Sequence, residues 1–153
     1  MNTSCPLCNA VAPGVLPPAT LVHPCTSQDE TTLWHDTRCR VILVNDPDYP
    51  GYCRVIWNTH TKEMTELSEP DRAHFMRVVF AVESALREML NPDKINLASL
   101  GNQTPHLHWH VIPRYRDDAH FPNPIWSARL RETTRYVIVD IRFLSRRLAE
   151  QLA

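Results

Sequence analysis

Long apolar runs are missing from this 153-residue chain. No stretch approaches the roughly 20 residues that a membrane helix needs, and the apolar segment from Val11 to Leu21 is broken by Pro13, Pro17 and Pro18. An excess of charge of either sign is missing too. Sixteen basic residues face seventeen acidic ones, for a formal net charge of -1, and no long run of one sign appears. The basic stripe that a nucleic-acid or anionic-membrane binder uses is therefore excluded; a small anionic ligand, which needs only a few local donors, is not. The cysteines, at 5, 8, 25, 39 and 53, are odd in number, and no basic n-region opens the chain as a secretory signal would. The expectation is a cytoplasmic, reduced protein, in which a Cys-x-x-Cys pair means metal or redox chemistry before it means a bridge.

What is present is the core of one ordinary domain, 43% hydrophobic and 22% charged, with three glycines, thirteen prolines and eight histidines. Residues 1–31 read as a Pro-rich segment carrying the Cys5/Cys8 pair, and 32–153 as the folded domain. Leu33-Trp34, Arg38 to Val44, Tyr52 to Trp57, Ile95 to Leu100 and Leu107 to Ile112 read as strands, with turn chemistry from Asn45 to Gly51. Ser68 and Asp71 resemble a capping box, Pro70 fits the first turn, and the stripe Phe75, Val78, Val79, Val82, Leu86, Met89, Leu90 predicts a long helix ended by Asn91-Pro92. A narrower stripe, Ile141, Leu144, Leu148, Leu152, predicts a C-terminal helix after the polar loop 117–124. Strands joined by short turns with few helices indicate an α+β domain on an antiparallel sheet.

His106-Leu107-His108-Trp109-His110-Val111-Ile112 alternates with period two. As a strand it puts three imidazoles on one face and Leu107, Trp109 and Val111 on the other. Three readings compete: a His-rich polar face, a metal site built on His-x-His, and catalysis by a neutral imidazole, a good nucleophile at phosphorus near pH 7. The surroundings favour the last. Gly101-Asn102-Gln103-Thr104 supplies amides and a hydroxyl, and Arg114, four residues past His110, has a head group suited to phosphate oxygens. Cys5-Pro6-Leu7-Cys8 has the spacing of half a zinc knuckle, which needs two more ligands; a redox role is less favoured because no helix N-terminus is evident to lower a thiol pKa.

The stretch His-Leu-His-Trp-His-Val-Ile resembles the signature of the histidine-triad (HIT) family, and Gly101 through Arg114 is similar to its surrounding block. Leu43-Val44-Asn45 followed by Pro50-Gly51, and Val55 through His60, extend the likeness over about residues 32 to 116. The resemblance implies a five-stranded antiparallel sheet with one long helix and a C-terminal helix, a homodimer, and a purine nucleotide as substrate. It implies a hydrolase or nucleotidyl transferase of the bacterial type, acting at the α-phosphate of dinucleoside polyphosphates or nucleoside phosphoramidates through a nucleotidyl-histidine. Carried over residue by residue, His108 is the nucleophile, His110 holds phosphate oxygens and helps the leaving group, and His106 orients the site. Asn102, Gln103 and Thr104 become phosphate contacts and Asn45 a ribose contact. By the same likeness Cys5 and Cys8 share a structural zinc with His60 and His106. The chain departs from the pattern at Tyr52, where most members have a fourth histidine, at Trp57, usually Pro, and in the shortened connection before the triad. These departures motivate an alternative, a nucleotide-binding or zinc-scaffold protein with little catalysis. Trp126 is either ordinary packing or a wall of the site; His35, His74 and His120 read as surface residues.

Overall fold

The structure, a computed structural model, describes residues 5–9, 30–133 and 136–153; His23, Cys25 and most of the Pro-rich segment lie outside the described residues. One antiparallel sheet carries strands β1 (Glu30–His35), β2 (Cys39–Val44), β3 (Cys53–Trp57), β4 (Lys94–Ala98) and β5 (His108–Arg114) in the order β1-β2-β3-β5-β4. Among the described residues three α-helices accompany it, the single turn α1 (Pro6–Asn9), the long α2 (Glu69–Leu90) and α3 (Ile141–Leu152). The sheet thus begins at Glu30, two residues ahead of Thr32, and β5 starts at His108, one residue after the Leu107 read from the sequence.

Alternation along the strands divides the sheet into two faces of different character. Cys39, Val41, Cys53, Val55 and Val111 join Phe75, Val78, Val82, Leu86, Leu144 and Leu148 in the main core, so α2 and α3 cover one face. Helix α2 forms for the reasons its sequence gives. The Ser68 hydroxyl accepts from the Asp71 N–H at its start, and Asn91, at φ 43°, closes its end. The opposite face carries two smaller clusters, Cys5, Leu7, Ile42 and Ile56 at one end and Tyr49, Tyr52 and Ile112 at the other. His108 and His110 lie between them, paired across the ladder with Ile56 and Arg54.

Two local features hold this frame. Gly51 sits at φ +84°, where an added Cβ would stand 2.5 Å from Leu90 Cδ1, so the turn between β2 and β3 requires glycine both for its dihedral and for the helix against it. Asp36, in the β1–β2 turn, accepts from the backbone N–H of Arg38 and Cys39 (2.8 and 2.7 Å) and pairs with His74 of α2 at 2.7 Å. His74 is therefore a clasp between hairpin and helix. Cys39 lies beside it, its thiol pushed up by burial and then by Asp36, and Cys53 is likewise pushed up by burial; both are strand residues of the core.

Candidate active site and metal centre

The three histidines do not form one continuous surface. His106 precedes β5, in a turn closed by its own N–H to the Thr104 carbonyl (2.8 Å), and its ring lies against His60 with centroids 5.2 Å apart. His108 and His110 do share the open face, their rings edge to face at 4.7 Å. The chain leaves the regular ladder where Ile56 pairs with His108, which sends the first imidazole toward the N-terminal segment and leaves two for the face.

The backbone assigns their nitrogens. A carbonyl can only accept, so the His108 Nδ1 that lies 2.6 Å from the His106 carbonyl carries a proton, and Nε2 holds the lone pair. Burial, partly offset by that hydrogen bond, lowers the His108 pKa. His110 is lowered further, to about 3, by burial first and then by His108 and Arg54, so it is a neutral imidazole. Its Nδ1 meets the Tyr52 hydroxyl at 2.5 Å, and Arg54 Nε–H donates to the same oxygen at 3.3 Å. Arg54 thus leaves the phenol proton for His110, whose Nε2 carries the hydrogen turned to other partners. Burial holds the Tyr52 phenol above its ordinary pKa, against Arg54. Trp126, half exposed, stands edge-on to His110 at 5.1 Å between centroids. The pair therefore offers a lone pair on one imidazole and a donor on the next, an arrangement suited to attack on an electrophile with protonation beside it.

His106 is turned the other way. Its Nε2–H donates to the Trp57 carbonyl at 2.5 Å, which leaves the Nδ1 lone pair facing Cys5 Sγ and Cys8 Sγ at 3.5 and 3.4 Å. His60 Nδ1 lies 3.3 Å from Cys8 Sγ, and all four ligand atoms fall within 4.8 Å of one another. A tetrahedral zinc with ordinary Zn–S and Zn–N lengths separates sulfur from nitrogen by about 3.5 Å, and a ligating histidine anchored to a backbone carbonyl is the usual outer-sphere partner. Cys5, Cys8, His60 and His106 fit the ion. The short α1, closed by Cys8 N–H to the Cys5 carbonyl, supplies a helical turn not evident from the sequence, yet both thiols meet imidazoles as a metal site requires. Arg40 fastens this turn, donating to the Leu7 carbonyl (2.7 Å) and to Asn58 (3.1 Å). His106 thus meets His108 through its backbone carbonyl, while its imidazole faces the Trp57 carbonyl and the two thiols.

Arg114 requires a correction. It is 1% exposed, grips Asp118 through Nε and NH2 (2.7 and 3.0 Å) and donates to Asn96 and the Asn123 carbonyl (2.6 and 2.8 Å). No edge of the guanidinium is left for a phosphate. Burial opposes the Asp118 charge, but Arg114 and the N–H groups of His120, Phe121 and Tyr115 hold its pKa below the ordinary carboxylate value. His120 is no surface residue either; it is buried beside the Tyr49 hydroxyl. Asn45 lies exposed past the end of β2, Asn102 and Gln103 are exposed on the connection before His106, and Thr104 there is half-buried. The residue that sequence reasoning missed is Arg54, a lone charge in the apolar strand Cys53–Trp57, directly opposite His110.

Comparison with known proteins agrees with the fold. The HIT domain model matches residues 26–117. A histidine triad protein from Bradyrhizobium japonicum superposes with a TM-score of 0.65 at 26% identity, over 87% of this chain and 98% of that one. One from Marinobacter aquaeolei gives 0.64 at 28%, over 82% and 92%. A zinc-bound histidine triad family protein from Mycobacterium smegmatis gives 0.51 at 25%, over 79% and 82%. The bis(5'-adenosyl)-triphosphatase of Saccharomyces cerevisiae is 25% identical over 91 residues, 55% of this chain and 44% of that protein; the chain spans less than half the length of the curated relative it matches. No helix among the described residues is long and apolar enough to cross a membrane.

Proposed function

The chain belongs to the HIT family, and on that basis we propose that it is a hydrolase or nucleotidyl transferase that attacks the α-phosphate of a purine nucleotide derivative, a dinucleoside polyphosphate or a nucleoside phosphoramidate. The observation that carries this reading is the pairing of a His108 whose Nδ1 is tied to a carbonyl with a neutral His110 beside it. His108 Nε2 attacks phosphorus, the bond to the leaving group breaks, and His110 Nε2–H supports the departing atom. Water or another acceptor then releases the nucleotide from His108. Asn102, Gln103 and Thr104 are assigned to the phosphate and Asn45 to the ribose, in keeping with their places on the two loops that flank the face. Zinc on Cys5, Cys8, His60 and His106, when bound, supplies structure: a closed set of four ligands leaves no position for substrate. The protein works in the cytoplasm as a homodimer, in line with exposed apolar side chains such as Leu130 and Ile138.

The test is turnover of diadenosine tetraphosphate and of a fluorogenic adenosine phosphoramidate. The wild type is expected to release AMP from at least one of them, and His108→Asn to lose about 10³-fold or more in kcat while still binding AMP. A folded wild type that binds AMP and turns over neither favours instead a nucleotide-binding or zinc-scaffold protein, the reading that Tyr52 at the fourth-histidine position motivates.

A further inference from the structure

Arg54 carries an inference beyond the histidine pair. Directly opposed residues of an antiparallel ladder point their side chains to the same face, and Arg54 is the Cα partner of His110. Its side chain is 29% exposed. Nε donates to Tyr52, and NH1 reaches Glu30 by one hydrogen bond of 3.3 Å; NH2 has no partner among the described residues. The two buried arginines among the described residues, Arg40 and Arg114, differ. Arg114 is fully engaged around Asp118, and Arg40 is turned to the Leu7 carbonyl and Asn58. His110, neutral at working pH, brings no charge to the face. An anionic phosphate arriving at the pair therefore meets its positive charge at Arg54.

The contact to Glu30 explains how that charge is kept without being spent. A carboxylate held by a single long hydrogen bond is a weak partner, whereas a phosphate can take two N–H groups of a guanidinium at once. We propose that Arg54 is the anion-recognition residue of this site, exchanging Glu30 for a substrate phosphate oxygen, so that Arg54 and Glu30 together set how strongly the site prefers a charged phosphate over the bare nucleoside. The inference rests on the nucleotide reading above and adds to it the group that recognises the charge. It moves to Arg54 the role that sequence spacing gives to Arg114.

Calorimetric binding of AMP and of adenosine to the wild type, Arg54→Gln and Glu30→Gln tests it. The wild type binds AMP about tenfold or more tightly than adenosine. Arg54→Gln loses most of that preference with adenosine binding unchanged, and Glu30→Gln tightens AMP about threefold because the competing carboxylate charge is gone. An Arg54→Gln protein that keeps the preference, or a Glu30→Gln protein that binds AMP more weakly, overturns the assignment to Arg54 alone. Should Arg54→Gln fail to fold, the sign of the Glu30→Gln effect decides. A folded wild type that binds neither ligand overturns the nucleotide reading itself, and the proposal with it.

Discussion

A neutral imidazole is a nucleophile at one nitrogen only, and here hydrogen bonds decide which. The His106 carbonyl accepts from His108 Nδ1–H and so keeps the proton on that nitrogen, and the Arg54–Tyr52 pair makes His110 an acceptor at Nδ1. Tyr52 thus performs a task open to any group that can donate to that nitrogen, which is why a phenol can stand where most members have a histidine. The burial that keeps His110 neutral has a consequence for stability. Its folded pKa, about 3, lies below the ordinary value of about 6.5, so between these limits the unfolded chain takes up a proton that the folded site refuses. That contribution is whole above about pH 6.5 and is lost as pH falls toward 3. The wild type should therefore lose on the order of 1–2 kcal/mol relative to His110→Gln between pH 7 and 5, read from urea midpoints at each pH. Parallel loss in both proteins would show that His110 titrates normally. At this scale the sequence made His108 and His110 legible, because strand alternation alone puts them on one face. It misled at Arg114, because the acid that binds it, Asp118, lies in a loop with no periodicity to read, and it passed over Arg54, whose significance appears only once β3 is laid against β5.

The elements divide the work. β5 carries His108 and His110, β3 and the turn before it deliver Arg54 and Tyr52 beside them, and α2 backs the sheet from the other side. The least autonomous piece is the N-terminal turn, where Cys5, Cys8 and Leu7 cover Ile42 and Ile56 but α1 is only four residues long, too short to be stable alone. Arg40 ties it to β2, and the proposed zinc would tie it to the base of β5 through His106. Protein purified without chelator should contain about one zinc per chain by metal analysis, and Cys5→Ser should lose it and melt at a lower temperature, since the ion's binding free energy is folding free energy. Full zinc occupancy in Cys5→Ser would contradict the assignment. The long helix, its cap and the order of strands along the chain were all readable, because capping and periodicity are local. The departure of His106 from the strand was not: it depends on the Thr104 turn and on Cys5 and Cys8, about a hundred residues away in sequence.

At the scale of the whole molecule the sheet is two-sided. One face is sealed by α2 and α3, and the other holds chemistry between two small apolar clusters. β4 is an edge strand, and an unpaired edge invites pairing with another chain. Light scattering at micromolar concentration should report twice the chain mass, and a monomer would remove the proposed dimer. The proposed function asks one thing above all of the site, that substrate pass through a covalent stage on the second histidine. Peptide mass spectrometry after a rapid alkaline quench of turnover, with diadenosine tetraphosphate or the phosphoramidate, tests this most directly. The account predicts an AMP adduct on His108 that is absent from His108→Asn. Turnover that proceeds with no adduct at His108, or with the adduct on another residue, would contradict it.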